Sequence, residues 1–106
     1  MEYSAILDED ANQSIVVSSS AVGLTLPAYY STLGILGGQC RIQVRTAPIL
    51  FTVNGFSPDL ENEATGEKAN IGDIIILDTL VEMRNINMCR ATSTNGAVFV
   101  TYLKAL

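Results

Sequence analysis

The chain has 106 residues, 48% of them hydrophobic and only 16% charged, with a formal net charge of -5. That length suits one domain and leaves no room for two. The six basic residues, Arg41, Arg45, Lys68, Arg84, Arg90 and Lys104, are scattered, so no basic run exists to neutralise a row of phosphates and direct nucleic-acid binding is disfavoured.

In chain order, Met1-Glu2-Tyr3 offers neither a basic nor an apolar start, so no signal peptide is expected. Residues 1–12 are expected to form an N-terminal arm, frayed or docked on a neighbour, with a single domain over 13–106. Within the arm, Tyr3 to Leu7 is apolar enough for a short strand, broken by Asp8-Glu9-Asp10. Gln13 to Ser18 is rich in β-branched residues and predicts a strand. Ala21 to Leu26 predicts another, with Val22, Leu24 and Leu26 on one face, ended by Pro27. Ala28 to Gly38 holds three glycines and predicts an irregular loop.

Gln39 to Arg45 alternates cleanly, with Cys40, Ile42 and Val44 facing inward and Gln39, Arg41, Gln43 and Arg45 facing solvent. Ile49 to Val53 is the next predicted strand, and Asn54-Gly55 a turn. Phe56 to Asn70 predicts one long acidic surface loop, with a helical turn near Asp59 to Ala64. After a turn at Ile71-Gly72-Asp73, the continuous run Ile74 to Leu77 predicts a strand buried on both faces, and Leu80 to Arg84 a connection. Ile86 to Thr92 is expected to turn Cys89 and Ala91 inward. It is expected to form a tight hairpin through Asn95-Gly96 with the last strand, Ala97 to Leu103. These roughly seven or eight short strands predict an all-β fold, a small β-sandwich or barrel of jelly-roll-like or Ig-like kind.

Catalytic chemistry is hard to place. The chain has no His, which removes the commonest general base and any Ser-His-Asp or Cys-His site. Asp59, Glu61 and Glu63 are the dense carboxylates, and with Asn62 they supply oxygens for a hard cation, but without calcium-loop spacing. Gly34 and Gly37-Gly38 have no following Lys to make a phosphate cradle. Tyr29, Tyr30 and Phe56 are a thin basis for a sugar-stacking platform. Cys40 and Cys89 form no CxxC pair and are expected as free buried thiols. The expectation is no catalytic, cofactor-binding or metal site, hence no enzyme and no cofactor. Ile74 to Leu77, the longest apolar run, is too short to cross a bilayer. A chain this poor in charge is expected to leave apolar surface for a partner.

From Cys40 onward a second kind of signal is present. Ala47, Pro48, Ile49, Phe51, Asn54, Gly55 and Pro58 are followed by Gly72, Asp73, Ile75 and Leu77, then by Arg90-Ala91 and Val100-Thr101-Tyr102. This series resembles small structural proteins of tailed bacteriophages, in which an "APIRF-T-DG-P" stretch precedes an "AGD-I-L" strand, a strand of the "FRAI" kind and a closing "LHVTYF"-like strand. The chain departs from the pattern at Asn54, where Asp is usual, and in its longer acidic loop from Leu60 to Asn70. The resemblance implies a virion protein assembled in the host cytoplasm: a capsid decoration or cement subunit, or else a neck, collar or tail component. Its partners would be capsid or neighbouring virion proteins, and its state a homo-oligomer, with a trimer the first expectation. A carbohydrate-binding β-sandwich is the alternative of another class.

Overall fold

The computed structural model describes residues 2–7, 11–27, 30, 38–58 and 66–105. In chain order these contain β1 (Tyr3–Ala5), β2 (Asn12–Val17), β3 (Gly38–Arg45), β4 (Ile49–Thr52), β5 (Glu67–Ala69), β6 (Ile74–Leu77), helix α1 (Leu80–Asn85), β7 (Asn87–Arg90) and β8 (Gly96–Ala105). The strands form two antiparallel sheets enclosing one core, a small all-β sandwich. One sheet runs β1-β8-β3-β6 with β2 also on β8, and the other runs β5-β4-β7.

β8 organises the larger sheet. One side pairs with β3 from Gly38↔Lys104 to Arg45↔Ala97. The other side is shared: β2 takes Gly96 to Thr101, and β1 takes Leu103 to Ala105. The segment expected as an arm therefore lies on the domain in its described part, and Ile6 and Ala11 are buried in the core. The ten residues of β8 outrun the six of β2, and β1 fills the remaining edge. Alternation along β8 and β3 follows the sequence pattern from Cys40 on: Val98, Val100 and Tyr102 are buried, as are Cys40, Ile42 and Val44, whereas Gln39, expected to face solvent, is also buried, with its amide bonded to Asp78.

Several expectations are corrected. Ile74 to Leu77 is an edge strand, buried at Ile75 and Leu77 only; Ile74 and Ile76 are 57% and 51% exposed. Ile74 and Ile76 point to the face of the larger sheet turned away from the core, beside Gln43 and Arg41. Ala21 to Leu26 forms no ladder. Val22, Leu24 and Leu26 do pack on the core, but only Val22 pairs, with Met88. The next bond on that side runs from the Arg90 amide to the Ser18 carbonyl, out of register with the bridge. The expected loop from Phe56 to Asn70 contains β5, which pairs with β4; its helical turn lies outside the described residues, as does most of Ala28 to Gly38. The inward side of β7 carries Met88, beside Ile86, whereas Cys89 is buried on the opposite face, its thiol 3.6 Å from the Pro58 carbonyl. Leu80 to Asn85 is a helix, started by the Thr79 hydroxyl, which accepts from the Glu82 amide at 3.1 Å and donates to the Glu82 carboxylate.

Two corners have distinct chemistry. Asn70 to Asp73 is a turn in which the Asp73 amide donates to the Asn70 carbonyl. Gly72 at φ 91° donates to the Val44 carbonyl while the Val44 amide donates to Asp73, a glycine bulge that leads into β6. Thr46, between β3 and β4, has φ 75°, and the Ala47 amide bonds back to the Arg45 carbonyl at 2.9 Å. That is a γ-turn, a strained conformation for a β-branched residue.

Cys40 and Cys89 are buried thiols in different sheets, and they are not joined by a disulfide. Burial pushes the Cys40 thiol from 9.0 up to about 12, and burial, with Cys40 and Tyr30 beside it, also raises the Tyr102 hydroxyl. In the unfolded chain the Cys40 thiol ionises near pH 9, while the folded chain holds its proton. Stability is therefore complete below pH 9 and falls as pH rises toward 12. Cys40 alone is expected to cost about 1.4 kcal/mol at pH 10. Denaturation midpoints at pH 7 and 10 check this; a Cys40→Ala variant should lose that part of the alkaline slope, and an unchanged slope would contradict it.

Candidate interaction surface

The face of the larger sheet turned away from the core brings together residues that are far apart in sequence. Its cross-strand rows are Asn12–Thr101–Arg41–Ile76, then Ser14–Phe99–Gln43–Ile74, then Val16–Ala97–Arg45. Val16 is 68% exposed, and Phe99 and Thr101 are half-buried. The face thus mixes apolar side chains (Val16, Ile74, Ile76, Ala97 and Phe99) with small polar and amide ones (Asn12, Ser14, Gln43 and Thr101) and two arginines.

Both arginines are held by their own strand. Arg41 Nε donates to Gln39 Oε1 at 2.9 Å and Arg45 Nε to Gln43 Oε1 at 3.0 Å. The Arg45 guanidinium lies 4.8 Å over the Phe99 ring, within cation–π range. Gln39 Nε2 in turn donates to Asp78 Oδ1 at 3.0 Å. The alternation that turns Cys40, Ile42 and Val44 inward forces Arg41, Gln43 and Arg45 outward. Each glutamine occupies an Nε–H, and the terminal N–H groups of both exposed guanidinium forks make no bond to a described residue. Among the described residues neither arginine has a carboxylate within ion-pairing distance. On a chain of net charge -5, the centre of this sheet is locally basic.

The other candidates do not converge. Tyr30 is in the core, its ring edge-on to Tyr102 at 5.9 Å and its hydroxyl donating to the Leu103 carbonyl. It therefore cannot share a surface platform with the exposed Phe56. Asp8 to Asp10, Tyr29, Gly34, Gly37, Asp59, Glu61, Asn62 and Glu63 lie outside the described residues. Among the described residues no three His, Cys, Asp or Glu side chains group as metal ligands, and no helix is long and apolar enough to cross a membrane. The arginine face was half visible in the sequence: the Gln/Arg alternation marked a solvated strand face. The residues that join it, Phe99, Val16, Ile74 and Ile76, needed the strand order. Comparisons with protein-family models, with curated proteins and with solved structures find no match.

Proposed function

We propose that this chain is a non-catalytic structural protein of a phage virion, a decoration or cement subunit that binds the head shell through the outer face of its larger sheet and acts as a homo-oligomer. The observation that carries the binding role is the composition of that face. Arginine and aromatic side chains with exposed aliphatics, and no lysine or glutamate in the three rows, are the mixture found at the centres of protein interfaces. Two outward guanidinium forks suit carboxylates on an acidic protein surface. The virion setting rests on the sequence resemblance that begins at Cys40. A decoration role asks only modest affinity of each copy, because many copies engage neighbouring sites together.

Mass spectrometry of the purified virion that carries this gene tests the setting. Copies in the hundreds are expected for shell decoration, whereas about a dozen or fewer fit a ring at one vertex and make a neck or tail position the better reading. The face is tested by Arg41→Glu with Arg45→Glu, which should weaken capsid binding at least about tenfold and leave the thermal midpoint nearly unchanged, since both side chains are exposed. Unaltered capsid binding would remove this face from the reading.

A further inference from the structure

The sequence holds two Asn-Gly pairs, Asn54-Gly55 and Asn95-Gly96, and the fold gives them opposite surroundings. A glycine carries no side chain to shield its backbone nitrogen, so that nitrogen can reach the side-chain carbonyl carbon of the preceding asparagine. Reaction between them needs three freedoms. The nitrogen must lose its proton to solvent, the asparagine side chain must turn, and the backbone must have room to close a ring.

Asn95-Gly96 lacks all three. Gly96 is buried. Val44 directs its backbone groups toward Gly72 and Asp73, so Arg45 directs its own toward Ala97 of β8. Gly96, one residue before Ala97, therefore faces β2 and exchanges its hydrogen bonds with Val17. The Asn95 side chain is held as well, its Oδ1 accepting from Arg90 Nη1 at 2.9 Å. Ala47 and Ile49 close round Gly96.

Asn54-Gly55 is exposed at both residues and belongs to no ladder. Gly55 has φ 89°, and one bond holds its amide, which donates to the Asn85 carbonyl at 3.1 Å. Apart from its chain neighbours, only Asn85 Oδ1 among the described residues, at 3.8 Å, lies within 4 Å of where a Cβ on Gly55 would stand. The Asn54 side chain is bonded within its own turn, its Oδ1 accepting from the Phe56 amide at 3.2 Å. That donor is well placed for reaction: as a nucleophile adds to Asn54 Cγ, negative charge develops on Oδ1, and the Phe56 N–H stabilises it.

We propose that Asn54 is a self-modification site of the folded chain, converted to aspartate and isoaspartate with water as the only co-reactant, while Asn95 is preserved. The Gly55 nitrogen bonds to Asn54 Cγ, and the Cγ–Nδ2 bond breaks. The proton that Gly55 gives up returns through water to the departing nitrogen, which leaves as ammonia. Water then opens the resulting succinimide. Opening at Cγ restores the backbone and leaves aspartate. Opening at the backbone carbonyl runs the chain through the side chain and leaves isoaspartate, one methylene longer. Either product puts a carboxylate beside the exposed Phe56. The aspartate form keeps an acceptor for the Phe56 amide, so the turn persists. The isoaspartate form displaces Gly55 from Asn85 and from Asn87, whose Nδ2 donates to the Gly55 carbonyl at 3.2 Å. This chemistry is independent of the virion setting.

The experiment holds the whole folded chain in mildly alkaline buffer and digests samples with trypsin. Cleavage after Arg45 and Lys68, and after Arg90 and Lys104, puts the two pairs on separate peptides, 46–68 and 91–104. Mass spectrometry follows the replacement of –NH2 by –OH in each peptide, and fragmentation assigns the residue. Asn54 should react at least about tenfold faster than Asn95, the factor given by about 1.4 kcal/mol of extra opening free energy at the ladder. In denaturant the two rates should converge, because both pairs then lie in open chain. Asn54→Gln, whose longer side chain closes a ring far less readily, should abolish the reaction in 46–68 and leave 91–104 unchanged. Equal rates in the folded chain, a faster Asn95, or a difference that persists in denaturant overturns the proposal. So does an Asn54 that stays intact in the folded chain while the denatured chain reacts.

Discussion

Tyr102→Ala should lower the unfolding free energy by about 4 kcal/mol, the usual range for removing a fully buried aromatic. Tyr102 is 1% exposed, and it stands on β8 where β3 pairs on one side. Its ring meets Tyr30 edge-on at 5.9 Å. Its hydroxyl lies 3.1 Å from Gln13 Oε1 and 3.2 Å from the Thr25 carbonyl, tying together β2 and the segment after it. Tyr102→Phe keeps the ring and loses only that tie. Gln13 Nε2 still donates to the Thr25 carbonyl at 2.8 Å, so no buried acceptor is stranded and the cost should be about 1 kcal/mol. Urea denaturation of the two variants separates packing from hydrogen bonding. An alanine variant losing less than about 1.5 kcal/mol would mean that the Tyr30–Tyr102 contact does not hold the core.

Gly96→Val should cost about 3 kcal/mol, and the reason differs from the one the sequence suggests. Asn95-Gly96 predicts a hairpin turn with positive φ, joining Ile86–Thr92 to the last strand. In the structure β7 and β8 belong to different sheets, so no hairpin joins them. Thr46 is the one non-glycine with positive φ among the described residues, and Gly96 is not among the positive-φ glycines. Gly96 instead begins β8 opposite Val17. A Cβ there would lie 2.9 Å from the Ala47 carbonyl oxygen and 2.9 Å from Ile49 Cγ2. The obstruction includes backbone, so overpacking cannot be relieved by one rotamer change. Gly96→Asn distinguishes the two causes. Asparagine tolerates a left-handed turn far better than alanine does, but it brings the same Cβ. Stability of Gly96→Asn close to wild type, with Gly96→Ala clearly worse, would restore the turn explanation.

The parts of the fold that were legible are those where one strand face meets water. Gln39 to Arg45 and Ala97 to Leu103 alternate because each has a core side and an outer side, and period 2 records that directly. Ile74 to Leu77 carries no such record, because four apolar residues in a row do not show which side is covered; only the pairing with β3 shows that Ile74 and Ile76 share the outer face with Arg41 and Gln43. Helix α1, six residues long, is too short to display a helical period, yet Thr79-Leu80-Val81-Glu82 carries the capping-box spacing that marks its start. The Asn-Gly pair at 95–96 misled because glycine serves a close approach as readily as a left-handed turn. The outer face was legible on β3 alone, since its remaining members come from β2, β6 and β8.

The position of β8 sets the order in which this molecule can assemble. Three strands, β1, β2 and β3, pair with it, and all three precede it by 50 residues or more of chain. A chain that has emerged from the ribosome only as far as residue 95 can form, of the larger sheet, the β3–β6 ladder alone. Its other strands must wait as unpaired apolar segments. Such distant pairings make folding slow and leave the nascent chain exposed to wrong partners until β8 arrives. Chaperone dependence and recovery on expression should therefore respond more to changes in Gly96 to Ala105 than to equally destabilising changes in β5 or α1.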